Sequence, residues 1–222
     1  MNQLLSHKIN SLNGTITVPG DKSISQRALI LSSVAIGTSE IYGISFSEDV
    51  LNLIKNLKLL GVNIIIKERK IIVHGNGING FKKTKKILDM GNSGTATRLM
   101  MGVLSNHEFE IKITGDKSLT KRPMDRIIEP LIKMGAEIKS NNNKLPITLT
   151  GVSETLPIKY ILPIPSAQVK SSILLASLGT PGKTTIIENI PTRDHTEILL
   201  KLFGANIKIK KKKNKNLIEL QG

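Results

Sequence analysis

The 222-residue sequence has no cysteine and no tryptophan, and aromatic residues make up only 3% of it. Without a thiol there is no disulfide framework, no thiolate metal site and no cysteine nucleophile. So few rings also argue against a surface that stacks nucleic-acid bases. No apolar run approaches the length of a membrane span, and Met1–Gly14 carries neither an apolar signal core nor an Arg/Ser-rich transit composition. The expectation is a soluble, cytoplasmic protein with no membrane partner. Acidic residues are scarce as well: 17 against 32 lysines and arginines, a net charge of +15. Such a field favours anions, which leaves nucleic acid, a membrane surface and phosphorylated metabolites open. Six of the lysines fall between Lys208 and Lys215, a run that reads as a solvated hairpin tip.

What is present is a repeat. Leu60-Gly61-Val62-Asn63-Ile64, Met134-Gly135-Ala136-Glu137-Ile138 and Phe203-Gly204-Ala205-Asn206-Ile207 share one pattern. Each is followed by an alternating strand that ends in glycine: Ile71–Gly75, Ile147–Gly151 and Leu217–Gly222. Ahead of each lies an apolar helix at spacings of three and four: Ile24, Ala28, Leu31 and Ala35; Ala96, Met100 and Val103; Val169, Ile173 and Ala176. A short alternating stretch follows, clearest at Phe109, Ile111 and Ile113. Second helices span Val50–Leu60, Ile127–Met134 and Glu197–Phe203, with Pro123 before one and glycines after all three.

Each unit therefore reads strand–helix–strand–helix–strand–strand. Three units, about 20–80, 81–156 and 157–222, predict one pseudo-threefold α/β (or α+β) domain with central helices buried under outward-facing sheets. Residues 1–19 fall outside the repeat and read as an N-terminal strand serving another body.

The first helices begin alike. Small residues are followed four positions on by a cation: Ser23 and Arg27, Gly94 and Arg98, Ser166 and Lys170. Free N–H groups and the positive end of the dipole make a helix start an anion site. Arg122 and Arg193, at the entries of second helices, add guanidinium groups able to grip phosphate or carboxylate with two bonds. Taken singly, each copy also reads as an ordinary cap with a solvated charge, and Arg98 or Lys170 also reads as a brace for a neighbouring turn. In three copies they predict a site for a small, multiply anionic ligand.

The motifs carry a resemblance. Val18-Pro19-Gly20-Asp21-Lys22-Ser23-Ile24-Ser25-Gln26-Arg27-Ala28 resembles the first signature of the 5-enolpyruvylshikimate-3-phosphate synthase family. Gly91-Asn92-Ser93-Gly94-Thr95 with Arg98 resembles the second, and Lys121-Arg122-Pro123-Met124 the turn after it. Ser166–Ser171 and Pro191–Glu197 are similar to its third-unit motifs. The resemblance implies that Lys22 touches both substrates. Ser23, Arg27, Ser166, Ala167 and Arg193 would bind shikimate-3-phosphate, and Gly94 and Arg122 phosphoenolpyruvate. Gln168 would stand between the two ligands, and Lys22 is the candidate for a direct part in the chemistry. No cofactor and no metal are implied, and a monomer is expected.

Family members are about twice as long, and their second half carries the carboxylates used for proton transfer. Glu188, Asp194, His195 and Glu197 belong to the third-unit motif and do not replace them; His195 reads as a structural residue of a helix start. The chain alone is therefore expected to bind substrate without turning it over, and to lack a C-terminal partner domain. Two alternatives stand beside this. A UDP-N-acetylglucosamine enolpyruvyl transferase ordinarily has asparagine where Ser23 stands, and a nucleic-acid-binding module is favoured only by the net charge.

Overall fold

The protein is described by a computed structural model covering residues 4–68, 70–212 and 215–222. Three units follow one another. The first contains α1 (Lys22–Val34), β1 (Ile36–Tyr42), α2 (Glu48–Leu59), β2 (Asn63–Ile66) and β3 (Lys70–Asn76). The second runs β4 (Leu88–Asp89), α3 (Gly94–Leu104), β5 (Glu110–Thr114), α4 (Asp125–Lys133), β6 (Glu137–Asn141) and β7 (Lys144–Thr150). The third runs β8 (Lys159–Ile161), α5 (Ala167–Ala176), β9 (Lys183–Glu188), α6 (His195–Leu202), β10 (Asn206–Lys212) and β11 (Lys215–Gln221). The tip of the lysine-rich hairpin, expected to be solvated, lies outside the described residues.

The repeat is visible in the register. Ile41 pairs with Ile71, Ile113 with Ile147 and Ile186 with Ile218, each in an antiparallel ladder. The two larger sheets have orders β4-β5-β7-β6 and β8-β9-β11-β10, with β4 and β8 parallel to their neighbours. The first sheet has only three strands, β1-β3-β2. Among the described residues, unit one thus lacks the leading strand that units two and three carry. Residues 4–19 adopt neither strand nor helix and are exposed, because no neighbouring surface within the chain pairs with them.

Glycines end the second helices for a backbone reason. Gly61, Gly135 and Gly204 sit one residue past the caps of α2, α4 and α6 with φ of +86°, +103° and +84°. Only glycine takes that left-handed turn without Cβ strain, and it sends the chain back as a strand.

The core is built on α1, α3 and α5, which are apolar nearly all round. Leu29 and Ile30, Met100 and Met101, Ile173 and Leu174 are all fully buried. Each such side chain contributes about 1.5–3 kcal/mol on leaving water. The helices touch backbone to backbone: a Cβ on Gly102 of α3 would stand 2.2 Å from Ser172 O of α5. Among the described residues, no helix is long and apolar enough to cross a membrane.

Candidate anion-binding site at the helix starts

The three central helices begin at the same end of the molecule, each under its own cap. Asp21 Oδ1 accepts from Ile24 N (2.7 Å), Ser93 Oγ from Ala96 N (3.2 Å) and Ser166 Oγ from Val169 N (3.4 Å). A capping side chain satisfies only one of the orphan amides of a first turn. The backbone N–H groups of Lys22 and Ser23, and of Ala167 and Gln168, follow their caps in the first turns of α1 and α5.

Side chains tie the starts into a ring. Gln26 of α1 donates to Ser93 Oγ at the start of α3 (2.7 Å). Gln168 of α5 donates to Thr95 Oγ1 of α3 (3.0 Å) and accepts from Arg98 Nη1 (2.9 Å). Arg27 of α1 closes the circle, donating to Thr196 Oγ1 of α6 (2.7 Å) and Ser171 Oγ of α5 (3.2 Å). The expected residues Lys22, Ser23, Arg27, Gly94, Arg122, Ser166, Ala167, Gln168 and Arg193 all belong to this end of the fold.

Two arginine groups give the ring its charge. Burial, and then the neighbouring Arg193, hold the pKa of Arg27 below the usual arginine value, with Glu197 and Asp21 opposing. Burial, and then Arg122 and Arg126, do the same to Arg98, with only Asp125 opposing. In both groups burial and a neighbouring arginine outweigh the nearby carboxylates, and an anion would relieve the difference. The geometry around Gly94 is close: a Cβ there would stand 2.6 Å from Arg98 Nη1 and 3.4 Å from Arg122 Nη1. A cleft of about 140 Å³ opens beside this cluster, between Arg98, Arg126, Ser166 and Gln168.

Arg122 is aimed by partners that the motif reading did not assign. It donates to Asn92 Oδ1 and to Ser118 Oγ (3.3 Å), and Asn92 in turn donates to Asp116 Oδ2 (2.8 Å). Lys22 Nζ lies 2.6 Å from Asp49 Oδ2, at the first turn of α2. The pair is half exposed, and such pairs contribute under about 1 kcal/mol. An acidic first turn in α2 was legible in the sequence; its meeting with Lys22 was not.

Of the two readings of Lys170, the structure supports the brace and not the anion grip. Lys170 is fully buried, with Nζ 2.6 Å from Glu197 Oε1 and 3.0 Å from Glu188 Oε1. Burial pushes the Glu197 carboxyl above its ordinary range, with Lys170 opposing. The reason is where the counting starts. Measured from the first residue of each helix, Arg27 is sixth, Arg98 fifth and Lys170 fourth. Each step turns a side chain by about 100° around the axis, so equal spacing from a small residue does not mean an equal direction. Lys170 stands where Ser25 and Thr97 stand in the other helices, and those hydroxyls bond back to the cap carbonyls of Asp21 and Ser93. His195, as expected, is the first residue of α6.

Residues 6–221 match the family model of EPSP synthase (3-phosphoshikimate 1-carboxyvinyltransferase). A Zymomonas mobilis protein named 3-phosphoshikimate 1-carboxyvinyltransferase is 47% identical over 99% of this chain and 49% of its own length. One of the same name from Streptococcus uberis is 48% identical over 88% of this chain and 46% of its own length. The EPSP synthase structure from Acinetobacter baumannii superposes with a TM-score of 0.86 at 44% identity, over 94% of this chain and 47% of that one. The chain spans about half the length of the curated relatives it matches.

Proposed function

The chain belongs to the EPSP synthase (3-phosphoshikimate 1-carboxyvinyltransferase) family, and from that premise we propose that it forms the substrate-gripping half of such an enzyme. The parent reaction transfers the enolpyruvyl group of phosphoenolpyruvate to a hydroxyl of shikimate-3-phosphate. A new C–O bond forms to that hydroxyl, the C–O bond to phosphate breaks, and the hydroxyl proton leaves with the phosphate.

In this reading Ser23, Arg27, Ser166, Ala167 and Arg193 hold shikimate-3-phosphate. Gly94 and Arg122 hold phosphoenolpyruvate, with Gln168 between the ligands and Lys22 reaching both. Gly94 keeps the Arg98 and Arg122 guanidinium groups within reach of an anion that a larger side chain would exclude. Lys22 gives up a half-exposed pair with Asp49 for a phosphate, and a charged hydrogen bond there contributes about 1.5–3 kcal/mol. Proton transfer needs groups from the other half of the family fold, so this half positions and neutralises. Its place of action in this reading is the cytoplasm.

The observation that carries the proposal is the ring of side chains that links the three helix starts, with Arg98 and Arg122 gathered close around Gly94. The +15 charge alone does not favour nucleic acid, because the cations that matter gather at helix starts instead of forming a stripe. Titration calorimetry with shikimate-3-phosphate, run beside a phosphate-release assay, tests it. Weak saturable binding that weakens with salt and vanishes in Arg27→Ala is expected, with no phosphate released from phosphoenolpyruvate. Absence of binding, turnover by the chain alone, or thermal stabilisation by an oligonucleotide only would overturn it.

A further inference from the structure

Among the described residues, every ion pair is made by a lysine. The described arginines, Arg27, Arg98, Arg122, Arg126 and Arg193, pair with no carboxylate. For Arg27 this needs a cause, because a carboxylate stands close. Glu197 acts on it electrostatically, raising its pKa against burial and Arg193. Thr196, the residue before Glu197, accepts from Arg27 Nε at 2.7 Å. Yet each acceptor of the guanidinium is neutral: Thr196 Oγ1, Ser171 Oγ and the Ser23 carbonyl (3.0 Å).

The buried ion cluster behind Arg27 supplies the cause. Lys170 Nζ lies 2.6 Å from one oxygen of Glu197 and 3.0 Å from one oxygen of Glu188. Glu188 has further donors, since Thr192 Oγ1 donates to its Oε1 and Asn216 Nδ2 to its Oε2 (3.2 Å). Glu197 has none of these. Its Oε2 is buried and, among the described residues, has no hydrogen-bond partner. One cation faces two carboxylates, so carboxylate charge is in excess, and Arg27 is a second cation within the field of Glu197.

A layer of two hydroxyls separates the cluster from Arg27. Ser171 follows Lys170 in α5, Thr196 precedes Glu197 in α6, and their oxygens lie 2.6 Å apart. Ser171 Oγ donates its proton to Ala167 O (2.6 Å), so Thr196 donates to Ser171. Both hydroxyls then present only lone pairs to the guanidinium. Their places are set by their chain neighbours in the cluster.

We propose that Lys170 is a positioning residue of the anion site: by holding Glu197 to itself, it leaves Arg27 on neutral acceptors with its charge available to a ligand. A free carboxylate and a guanidinium form two parallel charged bonds, and that pair would engage the same N–H groups that a phosphate needs. Without the lysine, the unpartnered oxygen of Glu197 turns to Arg27. The proposal deepens the reading of Arg27 as a phosphate ligand and rests on it only for the identity of the anion.

Two double variants separate this role from simple stability. Lys170→Met with Glu188→Gln keeps Glu197 as the carboxylate of the cluster. Lys170→Met with Glu197→Gln keeps Glu188, which retains Thr192 and Asn216 as donors. Without ligand, exchange of the Arg27 Nε–H proton is followed by nitrogen-15 correlation spectroscopy. It is expected to slow at least about tenfold in the first double and to keep the parent rate in the second. Calorimetry with shikimate-3-phosphate is expected to show at least about tenfold weaker binding in the first and binding within about threefold of the parent in the second. A lysine that only stabilises the fold predicts one result for both, since each double loses the cation and one carboxylate. Where methionine unfolds the chain, Lys170→Gln, which keeps an N–H donor for the remaining carboxylate, replaces it in both doubles with the same expectations. Equal Arg27 exchange in the two doubles, or slowed exchange without weaker binding, overturns the proposal. Failure of the parent chain to bind shikimate-3-phosphate sinks the reading of the anion instead, and the ligand-free comparison still decides this one.

Discussion

Arg98 of α3 and Lys170 of α5 follow small residues by the same four positions, yet they live in opposite surroundings. Arg98 sits at the open end of its helix, its charge opposed by burial and by Arg122 and Arg126. Lys170 is sealed between two buried carboxylates. The two helices share a serine cap and a place in the repeat, so the difference comes from one residue of phase relative to the cap. A repeat fixes where a side chain is rooted. Its neighbours decide whether the charge serves a ligand or the core.

That contrast can be broken most severely at Lys170. Replacing it with methionine leaves Glu188 and Glu197 buried without their cation, and is expected to cost about 3–5 kcal/mol in urea unfolding. Adding Glu188→Gln and Glu197→Gln to Lys170→Met is expected to restore most of the loss. An unchanged midpoint in the single variant would mean that Lys170 is no more structural than Arg98.

Next in size is the effect on ligand affinity. Arg122→Ala is expected to weaken phosphoenolpyruvate binding in the proposed site by about ten- to a hundredfold, equivalent to the 1.5–3 kcal/mol of a charged hydrogen bond. Its unfolding midpoint is expected to change little, since Arg122 is only half buried. Calorimetry and unfolding on the same variant separate the two readouts.

Gly94→Ala is a milder probe of the same end. The added Cβ would stand 2.6 Å from Arg98 Nη1, and the far end of a flexible side chain is able to shift. An affinity loss of about tenfold is expected, with the fold intact. The smallest effect is on pH. The folded-state pKa of Glu197 lies above its ordinary value of 4.5, so the folded chain holds that proton more tightly than the unfolded one. This group's contribution to stability therefore rises as pH falls from neutral toward the carboxylate range. Relative to Glu197→Gln, the parent chain is expected to gain stability on acidification through that window; a flat difference would refute it.

Much of the fold was legible because its signals are local. The apolar periodicity of α1, α3 and α5, the left-handed glycines after α2, α4 and α6, and the alternating hairpins each depend on a few adjacent residues. The three-stranded sheet of unit one was legible in part: residues 1–19 already fall outside the repeat in the sequence, and residues 4–19 form no strand in the structure. The candidate site divides in the same way. Ser166 follows from cap chemistry, and Gly94 and Ser23 lie one and two residues past the caps Ser93 and Asp21. The partners of Arg27 lie 144 and 169 positions away, and Asp49 lies 27 from Lys22, so no local pattern announces them. Lys170 was misdirected because the three small residues stand at different places relative to their caps: Ser166 is the cap itself, Gly94 is one residue past Ser93 and Ser23 two past Asp21.

The ring that joins the helix starts also has a history in time. Its links close over 67 residues at Gln26–Ser93, 73 at Thr95–Gln168 and 169 at Arg27–Thr196, whereas each hairpin closes over a short turn. Chain-closure entropy grows with separation, so contacts of high sequence separation form late in folding. The consequence is a domain whose hairpins are native before its anion cradle exists, and pulse-labelled exchange during refolding would show β6–β7 and β10–β11 protected ahead of the first turns of α1, α3 and α5. The order of chemistry along the chain is then reversed in assembly: the residues met first in the sequence, at Lys22–Arg27, are among the last to find their partners.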